Sequence, residues 1–323
     1  MKNFKWKNLI KTKHSIFKIR KSILNAIIHL KRKKRCLKEY NKIPYIIEKC
    51  PMCHSNSFKV INTYKINSLV KQWEKEYNFF PIAKCYYGKI LEKRICNRCG
   101  THYYNYRLPD TAEFYEILTD LHPIYRKEKW EYSQAEGIIT EYKPLTLLDI
   151  GCGYGYFLDK VKDKIPNIYG AEFNPLAIKT CKDKGYRIFD TELDKIEVKF
   201  DIITAFQVLE HIEDIKSFVE NCINLLNKNG KLLFVTPNPD SEVIKNNGGI
   251  LELPPHHNAD ISKTSYEFIA QKYDLEILEY QEEEIGFYHY KTICKNKSKL
   301  DYENKKNNFK GKSHLVLFER KTQ

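Results

Sequence analysis

The chain has 323 residues, a length that suggests about two domains and a core large enough to fold without disulfides. Hydrophobic residues make up 42% and charged residues 30%, a balance that argues against global disorder, and no uncharged apolar run reaches the ~20 residues of a membrane span. The net charge is +14, yet residues 1–45 hold 15 Lys/Arg against the single acid Glu39; the rest of the chain is formally neutral and lacks the excess of a broad nucleic-acid-binding face.

The arm comes first. On a helical wheel Ile16, Ile19, Ile23, Ile27 and Leu30 share one face of Ser15–Leu30, with Lys18, Lys21, Ser22, Asn25 and His29 opposite. The basic run Lys31-Arg32-Lys33-Lys34-Arg35 follows. Three readings of residues 15–35 stay open: an anionic membrane surface, the body of the protein or a partner, and RNA phosphates. A secretory signal is disfavoured, because the uncharged core Ser22–Leu30 is short and no small-residue cleavage site follows.

Next come two identical cysteine spacings, Cys50-Pro51-Met52-Cys53 and Cys96-Asn97-Arg98-Cys99-Gly100. Two such pairs suit one tetrahedral structural zinc ion, since each tight turn presents two thiolates. The gap between the pairs is 42 residues, so Ser57–Lys93 is expected to be an insertion with its own strands or helix. A redox pair is the competing reading. Cys181 and Cys222 fall in apolar-periodic stretches and read as small core residues. With no signal peptide, the cysteines imply a reducing cytoplasm.

From about Pro109 the pattern becomes α/β. Thr111–Thr119 and Lys129–Glu141 read as helices, and Thr146–Ile150 as a buried strand. Gly151-Cys152-Gly153-Tyr154-Gly155 follows, then helical spacing over Tyr156–Asp163. Strand, glycine-rich turn and helix bring backbone close to a ligand and aim N–H groups at it. A second strand, Asn167–Ala171, ends at Glu172, 21 residues after Gly151. A carboxylate at that tip is placed to accept both ribose hydroxyls of a nucleoside. Tyr186–Phe189 is a third strand, ending at Asp190, and Phe200–Ala205 a fourth, running into Phe206-Gln207-Val208-Leu209-Glu210-His211. Ile215–Leu226 is helical, with Gly230 as its stop, and Lys231–Thr236 is a fifth strand. Tyr266–Tyr273 is helical, Leu275–Tyr280 and Ser313–Glu319 are strands, and Lys295–Lys312 reads as a polar loop.

These residues reach a known family. Leu147-Leu148-Asp149-Ile150-Gly151-Cys152-Gly153-Tyr154-Gly155 resembles motif I of the class I S-adenosylmethionine (SAM) dependent methyltransferases. Phe200–Ile203 leading to Val208-Leu209-Glu210-His211-Ile212-Glu213-Asp214 resembles the segment around their fourth strand. Pro254-Pro255-His256-His257 with Ser262 and Ser265 resembles the following segment of the ubiquinone- and glycan-type branch. The cysteine pairs resemble the zinc-binding N-terminal segment of some bacterial methyltransferases, including sugar methyltransferases.

The resemblance implies a Rossmann-like seven-stranded sheet with an antiparallel last strand, Ser313–Glu319. Together with the residue patterns it gives four expected parts: a basic amphipathic arm (1–45), a zinc-ribbon-like domain with insertion (46–108), a helical connector (109–145) and a methyltransferase domain (146–323). It implies that Gly151, Gly153 and Gly155 wrap the amino-acid part of SAM, with Asp149 organising that loop. Glu172 would bind the ribose, Asp190 the adenine amine, and Gln207 would lie near the methionine end. A dinucleotide-binding reading is disfavoured, because the sixth loop position is Tyr156 rather than glycine.

Methyl transfer to a hydroxyl needs approach, orientation and a base near the acceptor proton. His257 and His211 are the candidates; each has the alternative of holding a loop by hydrogen bonds, and Glu210 with His211 has the alternative of sharing a divalent metal. The Asn/Asp-Pro-Pro-Tyr/Phe motif of many exocyclic-amine methyltransferases is absent after the fourth strand, where the chain reads Phe206-Gln207-Val208-Leu209. The expectation is a cytoplasmic SAM-dependent O-methyltransferase of a saccharide or related small molecule, with the arm as a peripheral contact to the inner membrane. An RNA methyltransferase and a non-catalytic SAM- or zinc-binding scaffold are the alternatives.

Overall fold

Five parallel strands carry the fold, and their order fixes where a ligand can bind. The computed structural model describes residues 44–77, 81–82, 84–108, 112–121, 125–247, 249–294, 298–305 and 309–320. The expected arm helix over residues 15–35 lies outside the described residues.

In chain order the elements are β1 (Tyr45–Ile46), β2 (Phe58–Lys65), α1 (Ile66–Tyr77), β3 (Ile90–Cys96), β4 (His102–Tyr104), β5 (Tyr106–Arg107), α2 (Ala112–Leu121) and α3 (Trp130–Tyr142). Then come β6 (Thr146–Ile150), α4 (Tyr156–Val161), β7 (Asn167–Ala171), α5 (Pro175–Asp183), β8 (Arg187–Phe189), β9 (Phe200–Phe206), α6 (Ile215–Asn224) and β10 (Leu226–Pro237). The chain continues through α7 (Glu242–Asn247), β11 (Ala259–Asp260), α8 (Lys263–Tyr273), β12 (Leu275–Glu282), α9 (Phe287–Ile293), α10 (Lys299–Lys305) and β13 (Ser313–Arg320).

The main sheet runs β12-β13-β10-β9-β6-β7-β8. Strands β6 to β10 pair in parallel, and β13 is antiparallel to both β10 and β12. The seven-stranded sheet with an antiparallel last strand is therefore present. Alternation along the strands supplies two faces. Leu147, Ile202, Leu233, Leu315 and Leu317 pack with α3 and α4 residues such as Ile139 and Phe157. Their neighbours Leu148, Ile203, Leu232, Val316 and Phe318 pack with Phe218 and Val219 of α6 and Tyr266 and Ile269 of α8. The chain fills the sheet one way from β6 to β8, then turns back to place β9 on the other side of β6. Ligands of open α/β sheets bind at the carboxyl ends of the strands beside such a reversal.

A second sheet, β11-β4-β3-β2, is antiparallel throughout. Its strands β2 to β4 come from the cysteine segment and β11 from the body, so the sheet draws on both sides of the expected boundary at 108. Insertion residues Ile66, Leu69, Val70 and Trp73 form a core with Phe114, Ile117 and Leu118 of α2.

Two local expectations are corrected and a third, on the insertion, holds. Helix α6 ends at Asn224, and Gly230 lies inside β10, where a Cβ would come within 2.9 Å of Asn227 O and 3.0 Å of Phe200 O. Gly230 therefore serves the close approach of backbones at a register shift between Leu226 and Lys231. Lys299–Lys305 is a helix within the expected loop. The insertion carries both a strand and a twelve-residue helix.

Candidate active site

The carboxyl end of β6 leads into the glycine loop. Gly151, Gly153 and Gly155 all have positive φ, +70°, +53° and +73°. A Cβ at each would lie 2.8 Å from Val208, 2.6 Å from Tyr125 and 2.9 Å from Cys181 Sγ. Glycine is thus required by conformation and by the packing around the loop. Gly151 N and Cys152 N donate to Ala171 O, and Gly155 N donates to Cys152 O, so these N–H groups are satisfied within the protein.

Glu172 ties the tip of β7 to that loop. Its Oε2 accepts from Gly153 N at 2.9 Å, and Oε1 accepts from Phe173 N and Asn174 N at 2.8 Å each. Three donors occupy the roughly four acceptor positions of a carboxylate, leaving Oε2 capacity for a hydroxyl. Asp149 is buried and accepts from Thr204 Oγ1 on β9 at 2.7 Å, and burial pushes its carboxyl up to about 7. Asp190 stands exposed past β8, 3.3 Å from Lys182 Nζ. Gln207 follows β9 in the left-handed region at φ 57°, with its N–H on Val235 O. Tyr125 covers Gly153 and packs 4.6 Å from the Tyr154 ring. Loop, tip carboxylate and flanking polar groups form a set that can hold a nucleoside.

The neighbouring strand β9 leads into a turn, Leu209–His211, and to a cluster of three histidines. The His211–His256, His211–His257 and His256–His257 ring centroids are 4.9, 5.0 and 4.5 Å apart. His211 Nδ1 is 2.6 Å from His256 O and 3.1 Å from Tyr115 Oη. A carbonyl only accepts, so His211 carries its proton on Nδ1. The same logic puts the His256 proton on Nδ1, 2.7 Å from Leu251 O. His257 Nδ1 lies 3.1 Å from Glu252 Oε2, an ion-pair distance without hydrogen-bond alignment. Burial pushes His211 well below the usual histidine range. Burial alone would also lower His257, but Glu252 outweighs it and raises the imidazole.

Glu210 is buried with neither carboxyl oxygen hydrogen-bonded, and burial pushes it up to about 7. Its Oε1 is 4.0 Å from His211 Nε2. One nitrogen from each of the three imidazoles falls within 4.8 Å of the others, a donor set that also suits a borderline divalent cation.

The four cysteines converge. Cys50 and Cys99 sulfurs are 3.5 Å apart, as are those of Cys53 and Cys96, and all four residues are buried. These distances exceed a disulfide bond of about 2.05 Å and approach the about 3.8 Å edge of a tetrahedron with 2.3 Å bonds. Each pair sits on a tight turn, with His54 N donating to Cys50 O and Gly100 N to Cys96 O. The cluster therefore fits a zinc ion. Beside the cluster, His54 pairs with Asp214 at 3.5 Å, and His102 with Asp260 at 3.4 Å.

Sequence reasoning missed Glu252, Tyr115 and Tyr125. Glu252 stands five residues before His257, a spacing without a helical or strand period to flag it. Tyr115 and Tyr125 belong to the stretch expected to be a helical connector.

Known proteins similar to this chain are methyltransferases. A family model described as "Methyltransferase domain" matches residues 117–280. A probable S-adenosylmethionine-dependent methyltransferase of Mycolicibacterium smegmatis is 24% identical over 148 residues, covering 44% of this chain and 55% of that protein. A ubiquinone biosynthesis O-methyltransferase of Pelagibacter ubique is 30% identical over 104 residues, covering 30% of this chain and 43% of that protein. The chain thus spans about half the length of the curated relatives it matches. A solved SAM-dependent methyltransferase of Archaeoglobus fulgidus aligns with 58% of this chain and 94% of its own, at 18% identity and a TM-score of 0.46. The family match spans just over half of the residues, and on that ground the chain belongs to the methyltransferase-domain family.

Proposed function

We propose that this chain is a SAM-dependent methyltransferase whose acceptor is a hydroxyl on a saccharide or related small molecule. The observation that carries the reading is His257, a buried imidazole beside Glu252 at 3.1 Å, its ring 5.0 Å from that of His211 in the turn after β9, the strand that pairs with β6. The O-methyltransferase names of the ubiquinone-biosynthesis relatives support an oxygen acceptor.

Bound SAM supplies an electrophilic methyl group. Gly151, Gly153 and Gly155 shape the cradle for its amino-acid part, with Asp149 fixing the end of β6 to β9. Glu172 accepts from the ribose, Asp190 from the adenine amine, and Gln207 borders the methionine end. His257 takes the acceptor proton, and neutral imidazole is the form that does so. His211, bonded through Nδ1 to His256 O, ties the turn after β9 to the segment carrying His256 and has only Nε2 to offer. Cys50, Cys53, Cys96 and Cys99 hold a structural zinc ion; metal analysis of the purified chain is expected to return one zinc per chain, and a Cys53→Ser, Cys96→Ser variant substantially less. We also place residues 15–35 on an anionic membrane surface, with the enzyme working in the cytoplasm.

Calorimetric titration with S-adenosylhomocysteine tests the cofactor half. Glu172→Ala is expected to weaken binding tenfold or more, about 1.4 kcal/mol. No binding by a well-folded wild type would sink the reading. Transfer of labelled methyl from SAM to sugar nucleotides and lipid-linked glycans tests the acceptor. Label entering RNA instead, with affinity falling steeply with salt, would replace the saccharide reading.

A further inference from the structure

The cysteine module and the histidine cluster meet through a very short ladder. Strands β4 and β11 pair over two residues only, Ala259 with Tyr103 and Asp260 with His102. A slip of one residue would advance the strand by about 3.3 Å and turn each side chain to the opposite face. His257 stands two residues before this ladder, so its position depends on the register.

A buried ion pair fixes that register. Asp260 Oδ2 lies 2.5 Å from Lys93 Nζ on β3 and 3.4 Å from His102 Nδ1 on β4. Burial alone would raise Asp260, but Lys93 and then His102 outweigh it and hold the carboxylate well below its usual range. Burial alone would lower Lys93, and Asp260 outweighs that too. Either charge left alone would be costly, so only one alignment of β11 satisfies both.

Hydrogen bonds reinforce the junction on the module side. Ser262 Oγ donates to Gly100 O at 3.0 Å, and Thr101 Oγ1 donates to Ser265 Oγ at 3.0 Å. Between His257 and the ladder, Asn258 N donates to Glu210 O at 2.8 Å. The segment carrying both histidines is thus held between the module and the turn after β9. The glycine loop is held separately, through Glu172 and Ala171.

We propose that Lys93 and Asp260 are positioning residues that lock the cysteine module onto β11 and so set where His256 and His257 stand. The module is then part of the acceptor half of the site rather than an appended binding domain. This rests on reading those histidines as the acceptor side.

The test uses the full chain with ¹⁵N-labelled histidine. Imidazole signals and S-adenosylhomocysteine affinity are compared between wild type, Asp260→Asn, and the charge-free double variant Lys93→Met with Asp260→Asn. The double variant leaves no lone buried charge, which favours its folding. The expected result is displaced His256 and His257 ring signals in both variants, with cofactor affinity kept within twofold. Unmoved ring signals, or cofactor affinity falling more than tenfold in step with them, would overturn the proposal. Absence of cofactor binding in the wild type would count against the methyltransferase reading alone, because the ring signals stay readable without it.

Discussion

His314 shows how a buried group turns pH into stability. It is fully buried on β13, with Nε2 2.9 Å from Thr236 Oγ1 and Nδ1 3.0 Å from Tyr280 Oη. Burial lowers it from 6.5 to about 4. Below pH 6.5 the unfolded chain binds a proton that the folded chain refuses until about pH 4. Stability contributed by the neutral ring is therefore lost as pH falls through that window, by up to roughly 3 kcal/mol. Asp149 and Glu210 act oppositely. Their folded values, raised to about 7, keep protons on the fold that the unfolded chain releases, so they oppose folding increasingly as pH rises from about 4 to 7. Urea unfolding of His314→Gln is expected to lose about one proton of pH dependence between pH 6.5 and 4. An unchanged slope would show that His314 titrates normally in the fold. None of this is legible in the sequence, because the partners Thr236 and Tyr280 come from two other strands. The glycine loop and Glu172 are legible, because their chemistry is local and demands particular residue types at fixed spacing.

Elements separate into those written in their own residues and those made by neighbours. Strands β6 and β7 fall on the expected Thr146–Ile150 and Asn167–Ala171, short apolar-rich runs of strand length; β6 is buried from Leu147 to Ile150, Asp149 being its one charged residue. Helix α10 is hidden in the sequence by its lysines and asparagine. Its anchors are tertiary: Tyr290 Oη donates to Asp301 Oδ2 at 2.5 Å, and Tyr302 Oη donates to Ile285 O at 2.8 Å. Gly230 reads as a helix stop because glycine is common there, while the structure uses it for a backbone contact inside β10. Two glycine substitutions expose the difference. Gly137 lies in α3, with nothing within 4 Å of the place an added methyl would take, so Gly137→Ala is expected to stabilise by about 0.5–1 kcal/mol. Gly230→Ala meets backbone at 2.9–3.1 Å and is expected to destabilise by about 1–3 kcal/mol. Thermal unfolding checks both, and a fall for Gly137→Ala or no change for Gly230→Ala would contradict the packing described.

At the scale of the whole molecule, charge is divided as sharply as structure. The arm carries the entire net +14 and the remainder is formally neutral. Among the described residues no helix is long and apolar enough to cross a membrane. In sequence, residues 15–35 combine isoleucines at helical spacing with the run Lys31–Arg35, the pattern on which the proposed contact with an anionic interface rests. Each basic residue near such a surface contributes about 1 kcal/mol, and this attraction decays within a Debye length of about 8 Å at physiological salt. Flotation of the full chain with vesicles containing anionic lipid is therefore expected to succeed at low salt and to weaken as salt rises. A chain lacking residues 1–40 should stay at the bottom while retaining its affinity for S-adenosylhomocysteine, because the cofactor half is built on β6, β7 and β9. Equal flotation of both chains would remove the arm from the membrane, and loss of cofactor binding on truncation would make it part of the folded body instead.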